Sequence, residues 1–428
     1  MTPIQKISIP YILEEKDIIG KAKTGSGKTL AFALPLINKI KPKQQNPQAL
    51  IIVPTRELGE QIAQELKKVA RYKSDVKIIT LYGGTSLTRQ VTSLEKGADI
   101  IVGTVGRLLD HFSRETIELS DIKTLILDEA DRMLDMGFAD EILKIVSNLP
   151  KKRQTLLFSA TYPDNISKLT SVILNNPINI EIEPQEKQID IEERAFKTEN
   201  RDKSLIITLQ SFQPSLALIF CNTKAKTNEI GDMLHDKGFD TAVLNGDLEQ
   251  YERQEMLLQF ANGSLPILVA TDLASRGLDI EGIDIVINYD IPMKPQEYTH
   301  RIGRTGRADA KGLAITLCDN SNLRKLKEIK PSLKIEEITT LRPNKSFYLQ
   351  GEVGTLCIDG GKKKKIRAGD ILGTLCKEIG IEPKQIGKID IYDRNSYVAI
   401  HKSVIKKAFN GLKNGKIKKK KVRVWWLN

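Results

Sequence analysis

Ala22-Lys23-Thr24-Gly25-Ser26-Gly27-Lys28-Thr29 is a glycine-punctuated loop that runs straight into a helical pattern. Glycines let backbone N–H groups turn inward around phosphate oxygens, which Thr24, Gly25, Ser26 and Gly27 would cradle. Lys28 would then reach the β- and γ-phosphates of a nucleotide, and the Thr29 hydroxyl would ligate Mg²⁺. The helix that follows adds its positive N-terminal end. A generic phosphate loop has glycine where Ala22 stands, so the match is to a subclass. Downstream, the apolar run Thr124-Leu125-Ile126-Leu127 ends in Asp128-Glu129-Ala130-Asp131. Two adjacent carboxylates at a strand end suit a metal held through water by Asp128 and an attacking water polarised by Glu129.

Working outward, short apolar runs alternate with helical patterns, as in α/β units with parallel sheets. Strands are predicted at 50–54, 76–82, 99–103, 124–128 and 154–159. A second series follows at 216–221, 240–244, 267–271, 283–289 and 312–318. The 428 residues exceed what one core holds, so several domains are expected. These are a first lobe over 1–182, a charged linker over 183–203, a second lobe over 204–341, and a small domain over 345–428. The last reads β-α-β-β-α-β, the ferredoxin-like arrangement of RNA-recognition folds.

Charge separates the same regions. From Arg342 to Asn428 there are 21 Lys/Arg against 7 Asp/Glu, an excess of 14, whereas the whole chain carries +12. Residues 1–341 are therefore slightly acidic, and the tail is built to meet a polyanion. Four scattered cysteines exclude a disulfide framework and point to reduced thiols. No apolar run is long enough for a membrane span and no leader pattern opens the chain, so a cytoplasmic protein without a membrane partner is expected.

One further run concentrates cations: His300-Arg301-Ile302-Gly303-Arg304-Thr305-Gly306-Arg307. Three arginines in eight residues can neutralise a γ-phosphoryl group or, equally, grip RNA phosphate.

Taken in order, these motifs resemble those of the DEAD-box RNA helicases over nearly all of residues 2–341. Asp128-Glu129-Ala130-Asp131 spells the family's name. Thr2-Pro3-Ile4-Gln5 looks like the Q motif, which implies that Gln5 reads the adenine edge. Pro54-Thr55-Arg56-Glu57-Leu58, Gly83-Gly84 and Thr104-Val105-Gly106-Arg107 resemble the RNA-contacting motifs of the first lobe. Ser159-Ala160-Thr161 resembles the motif that links ATP state to RNA state. Phe220-Cys221-Asn222 and the run from Ala270 to Asp279 follow in the second lobe. The resemblance implies two RecA-like lobes, ATP and Mg²⁺ as ligands, Arg304 and Arg307 on the γ-phosphate and Asp279 on the ribose. His300 is implied to meet the acidic motif. RNA contacts are implied for Arg56, Gly84, Thr104, Arg107, Thr271 and Arg276. With Lys28 and Arg307 on different lobes, hydrolysis should require closure, which ATP and RNA would both favour. Val105 replaces the family's proline and Gly59 its alanine; both exchanges are expected to be tolerated. The resemblance also implies residues ahead of Met1, including an aromatic that stacks on adenine, so weakened adenine binding is expected here.

Gly360-Gly361-Lys362-Lys363-Lys364-Lys365-Ile366-Arg367, Gly369-Asp370-Ile371-Leu372-Gly373, Ile386-Gly387-Lys388-Ile389 and Tyr397-Val398-Ala399-Ile400 make residues 354–428 resemble the RNA-binding domain of DbpA-type helicases. That resemblance implies a 23S rRNA hairpin and pre-50S ribosomal particles as partners, served by a monomer. Lys363, Lys364, Arg367 and Tyr397 are the candidate tail contacts. Its sheet lacks the usual aromatic pair, so grip by the basic loops 362–367 and 416–423 is favoured over base stacking. One of Trp425 and Trp426 is expected in the core. An ATP-gated RNA clamp with little unwinding would use the same motifs as a helicase.

Overall fold

The computed structural model describes residues 1–22, 25–162, 164–182, 191–275, 280, 282–306 and 311–427. They form two units, Met1–Gln188 and Ile189–Asn428.

In the first unit seven strands make one parallel sheet. They are β1 (Ile18–Lys21), β2 (Ala49–Val53), β3 (Ile78–Leu81), β4 (Ile100–Thr104), β5 (Thr124–Leu127), β6 (Gln154–Ser159) and β7 (Ile178–Glu181), in the order β3-β4-β2-β5-β6-β1-β7. β2 is buried at every residue because both faces are covered. Leu50 and Ile52 join one apolar layer with Leu125 and Leu127, while Ile51 and Val53 join another with Phe32 and Ile62. A continuous apolar run is the mark of such a strand. β1 and β7 were not expected from sequence. Each has only four residues, and Gly20 interrupts β1 because the Phe158 ring lies 2.7 Å from where a Cβ would stand.

The second unit holds two sheets. The larger is parallel, in the order β10-β11-β9-β12-β13-β8-β14. Its strands are β8 (Ile191–Lys197), β9 (Ala217–Phe220), β10 (Thr241–Leu244), β11 (Ile267–Ala270), β12 (Ile285–Asn288), β13 (Gly312–Cys318) and β14 (Ile335–Glu337). This corrects the expected linker over 183–203. Residues 191–197 form β8, paired along their length with β13, and a helix Arg201–Phe212 follows, capped by Asn200. Residues 183–190 lie outside the described residues. The charges that suggested a linker are strand side chains, with Arg194 bridging to Glu336 of β14 at 2.9 Å.

The smaller sheet is antiparallel, β16-β17-β15-β18, from β15 (Val353–Ile358), β16 (Ile386–Ile391), β17 (Ser396–His401) and β18 (Val424–Trp426). Its elements keep the expected β-α-β-β-α-β order. Leu356, Ile358, Val398 and Ile400 face inward onto Ile371, Ala408 and Leu412. Alternate residues face the other way, onto the helix Gln250–Ala261 of the larger sheet's domain. There Cys357 and Tyr397 pack with Leu258, and Thr355 meets Asn262 at 2.8 Å and Ser264 at 2.7 Å. Lys402 pairs with Asp240 at 2.8 Å. The two tryptophans depart from expectation, being 39% and 37% exposed. Trp426 leans edge-on against Phe409. All four cysteines are free thiols, three of them buried. No helix among the described residues is long and apolar enough to cross a membrane.

Burial at this docked face raises the pKa of Glu255, opposed by the hydrogen bond from Tyr397 and aided by Glu252. A raised carboxylate favours the folded state at low pH, and that contribution is lost as pH rises through the folded value. Glu255→Gln is therefore expected to flatten the pH dependence of melting across the range above the ordinary carboxylate value. An unaltered profile would remove Glu255 as its source.

Candidate functional site

The C-terminal ends of the first sheet's strands carry almost every candidate residue of that unit, where open α/β sheets place their ligands. β1, β5 and β6 end at the phosphate loop, the acidic run and Ser159-Ala160-Thr161. β2, β3 and β4 end at Arg56, Gly83-Gly84 and Thr104. Strand order thus gathers the nucleotide candidates at one half of the sheet's C-terminal side and the RNA candidates at the other.

In the nucleotide half, Gly25 and Gly27 adopt φ values of 81° and 88°, which favour glycine. A Cβ on Gly27 would stand 2.5 Å from Gln5 Nε2. Gln5 is buried, donating from Nε2 to the Gly27 carbonyl at 3.1 Å and accepting from the Thr2 amide at 2.9 Å. Each amide atom keeps a second hydrogen-bonding valence, which an adenine edge could use. Lys28 is buried and donates to the Ala22 carbonyl at 2.8 Å, while the Ala22 amide donates to Ser159 O at 3.0 Å. The Ser26 hydroxyl is buried with no partner among the described residues, which leaves its hydrogen available to a phosphate oxygen. Thr24 lies outside the described residues.

Asp128 is 3% exposed. Burial pushes its carboxyl up to about 6, against the pull of the Lys28 ammonium and with a further push from Glu129. Its oxygens are hard donors of the kind Mg²⁺ takes, and a cation bound there would offset the burial and favour the ionised form, with Thr29 placed to be the second oxygen donor. Glu129 sits in the left-handed region, φ 53° and ψ 49°, at the turn between β5 and the helix Ala130–Asp135. Its carboxylate lies 2.8 Å from Arg132, at angles that make a charge contact and not a hydrogen bond. Sequence reasoning passed over Arg132, although its spacing of three along a helix is the ordinary one for such pairs. Asp131 accepts from the Ala160 amide at 3.2 Å, the Thr161 amide at 2.9 Å and the Thr161 hydroxyl at 2.8 Å. Ser159 donates to the Thr161 carbonyl at 2.6 Å. The acidic run and the expected coupling residues are thus one bonded group.

In the RNA half, Thr55 caps the helix Arg56–Val69 by accepting the Leu58 amide, which places Arg56 on its first turn. A Cβ on Gly83 would stand 2.8 Å from the Arg56 guanidinium, so glycine allows that approach. Gly84 has φ 78°. Thr104 ends β4, and Arg107 donates to the Thr85 carbonyl at 3.3 Å.

The second unit holds the remaining candidates. Thr271 is buried, its hydroxyl accepting the Ala274 amide. His300 stands in the last turn of the helix Pro295–Ile302, and Arg304 is buried just beyond it. Arg301 is buried, and its guanidinium donates to Asp272 and Asn222 of its own domain. Arg276, Asp279 and Arg307 lie outside the described residues.

In the tail, Lys363 and Arg367 are exposed and Lys364 is half-buried, reaching the Asp359 carboxylate at 3.3 Å. Lys418 and Lys420 donate to the carbonyls of Lys365 and Lys364 at 3.1 and 2.8 Å. The two basic loops therefore meet in one patch. Tyr397 is corrected from its expected exposure to RNA. It is 7% exposed, packed on Leu258 and bonded to Glu255 at 3.2 Å, because the sheet's outer face serves as a seat on the neighbouring domain.

Comparison with known proteins agrees with this geometry. Residues 2–169 match the family described as DEAD/DEAH box helicase, 200–309 the helicase conserved C-terminal domain, and 355–425 the DbpA RNA binding domain. The chain is 44% identical over 428 residues to the ATP-dependent RNA helicase DbpA of Escherichia coli, covering 99% of this chain and 94% of that protein. Identity to the ATP-dependent RNA helicase DbpA of Bacillus subtilis is 37% over 450 residues, with the same 99% and 94% coverage. Among solved structures, S. cerevisiae Dbp5 bound to RNA and ADP BeF3 is similar at a TM-score of 0.68 and 28% identity. That match covers 78% of this chain and 89% of that one.

Proposed function

Because the chain belongs to the DEAD-box ATP-dependent RNA helicases, of the type that ends in a DbpA RNA-binding domain, we propose that it opens short duplexes in 23S rRNA during large-subunit assembly, its tail gripping a hairpin there. The observation that carries the proposal is the tail itself, an excess of 14 positive charges whose two loops converge on one patch. ATP hydrolysis stimulated by RNA is the activity of the family, and the roles of individual residues follow from their chemistry.

Lys28, Ser26 and the glycines of the phosphate loop hold the β- and γ-phosphates, and Gln5 reads adenine. Mg²⁺, held by Thr29 and Asp128, neutralises charge on the phosphate oxygens when bound. Glu129 accepts the proton of the attacking water, its carboxylate held in place beside Arg132. Arg304, with Arg307, stabilises charge on the departing phosphoryl group. Because Lys28 and Arg304 belong to different units, hydrolysis requires closure. RNA held by Arg56, Gly84, Thr104 and Arg107 in one lobe and Thr271 and Arg276 in the other favours the same closure, so ATP and RNA affinities rise together.

ATPase stimulation by 23S rRNA fragments, set against unrelated RNA of equal length, tests the target. A lower half-saturating concentration for the 23S fragment is expected, and the double change Lys363→Glu/Arg367→Glu should raise that concentration about tenfold. Superimposable titrations for both RNAs would remove the rRNA assignment.

A further inference from the structure

Beneath the loop that carries Gly83 and Gly84 lies a hydrogen-bond chain, buried at Gln90 and His111 and reaching the surface at Thr85, that touches none of the nucleotide candidates. Gln90, 6% exposed, comes from the helix Leu87–Leu94, and His111, fully buried, from the helix Val105–Ser113. The Gln90 amide nitrogen donates to the Tyr82 carbonyl at 3.0 Å and to the Thr85 hydroxyl at 2.6 Å. The Thr85 hydroxyl itself donates to the Tyr82 carbonyl at 3.0 Å. On the other side, Gln90 Oε1 lies 2.9 Å from His111 Nε2, and His111 Nδ1 lies 2.8 Å from the Thr116 hydroxyl.

The Tyr82 carbonyl sets the orientation of the Gln90 amide. A carbonyl only accepts, so the Tyr82 oxygen must face the NH₂ end of the Gln90 amide. The amide oxygen then faces His111, whose Nε2 must carry a hydrogen. Burial, with Arg107 nearby, lowers the His111 pKa, which favours a neutral ring whose Nδ1 faces the Thr116 hydroxyl, a group that also donates to the His111 carbonyl at 3.2 Å. Each member fixes the next, and the end of the chain is the backbone between Tyr82 and Thr85. The carbonyl of Thr85 is also the acceptor for Arg107. Arg107 and His111 stand four residues apart on one helix, so they share a face.

We infer that Gln90 and His111 are positioning residues for RNA binding by the first lobe. They hold the Tyr82–Thr85 backbone so that Gly84 presents its amide and Arg107 its guanidinium to the same RNA backbone. The inference rests on the reading of Gly84 and Arg107 as RNA contacts. An unsatisfied group in this chain would let the loop relax away from the strand end, while the sheet beneath it stays packed.

The test uses the full chain, fluorescein-labelled oligo(U) and ADP–beryllium fluoride, with thermal melting recorded on each variant. Gln90→Glu keeps shape but turns a carboxylate toward the Tyr82 carbonyl. Its dissociation constant for oligo(U) is expected to rise about tenfold at pH 8. Binding of fluorescent mant-ADP without RNA should match the parent, which a lobe with damaged packing would not give. Thr85→Val, at an exposed position, removes one partner without threatening the fold and should weaken binding about threefold. Oligo(U) affinities of both variants within twofold of the parent would overturn the inference. A loss of mant-ADP binding as large as the loss of oligo(U) binding would overturn it too. Arg107→Ala separates the premise. If it leaves affinity unchanged, the RNA reading of this loop fails and the inference with it. If it weakens binding while Gln90→Glu and Thr85→Val do not, the positioning role alone is wrong.

Discussion

Replacing Arg301 with alanine is expected to lower the stability of the second unit by about 3–5 kcal/mol, the cost of breaking a buried ion pair from one side. The side chain is 1% exposed. Its guanidinium donates to both Asp272 oxygens at 2.7 and 2.6 Å, to Asn222 at 2.8 Å and to the Asp290 carbonyl at 2.6 Å. It also lies 5.0 Å from the centre of the Phe220 ring. Those partners follow β9, β11 and β12, so one side chain ties three neighbouring strand ends together. Alanine would take the two-pronged donor from Asp272 and leave several polar groups without this donor. Urea unfolding should show the midpoint falling by about 1 M or more. Lysine should recover only part of the loss, since it lacks the planar fork that serves several acceptors at once. An unshifted midpoint in the alanine variant would mean that the pocket relaxes around water at no cost, and the role given to Arg301 would fall.

Glu129→Gln is expected to slow ATP hydrolysis by about 10²–10⁴-fold while ATP and RNA still bind, because an amide cannot take the proton of the attacking water. The same change leaves the buried Arg132 without its carboxylate partner, so melting temperature should fall as well. Combining Glu129→Gln with Arg132→Met removes the stranded charge and should restore melting without restoring turnover. Single-turnover hydrolysis measured alongside melting separates the two effects. Turnover that returned with stability in the double variant would show that Glu129 acts through the fold and not as the base.

The chemistry of this protein is largely local, and local chemistry is legible in sequence. Lys28 after two left-handed glycines, Asp128 and Glu129 after four apolar residues, and Arg56 after the Thr55 cap each declare a role through residues next to them in the chain. The parallel strands with continuous apolar runs were legible for the same reason. What depended on distant partners was not. Ile191–Lys197 reads as a charged linker until Glu336, far along the chain, is placed beside Arg194. Arg301 and Arg304 look alike three residues apart, and only the convergence of β9, β11 and β12 makes the first a structural tie. Tyr397 reads as an RNA contact until the helix Gln250–Ala261 is packed over its sheet.

Sequence alone thus determined a glycine-turned phosphate-loop pattern, an acidic run at a strand end and a cationic tail after two α/β lobes, because backbone turns and charge runs are set by neighbours in the chain. Tertiary structure alone decided which arginine is structural, which sheet face is closed and which basic loops form one patch. Those outcomes depend on burial and on pairing between residues many positions apart, where the free energy of a side chain is set by whatever the fold brings against it.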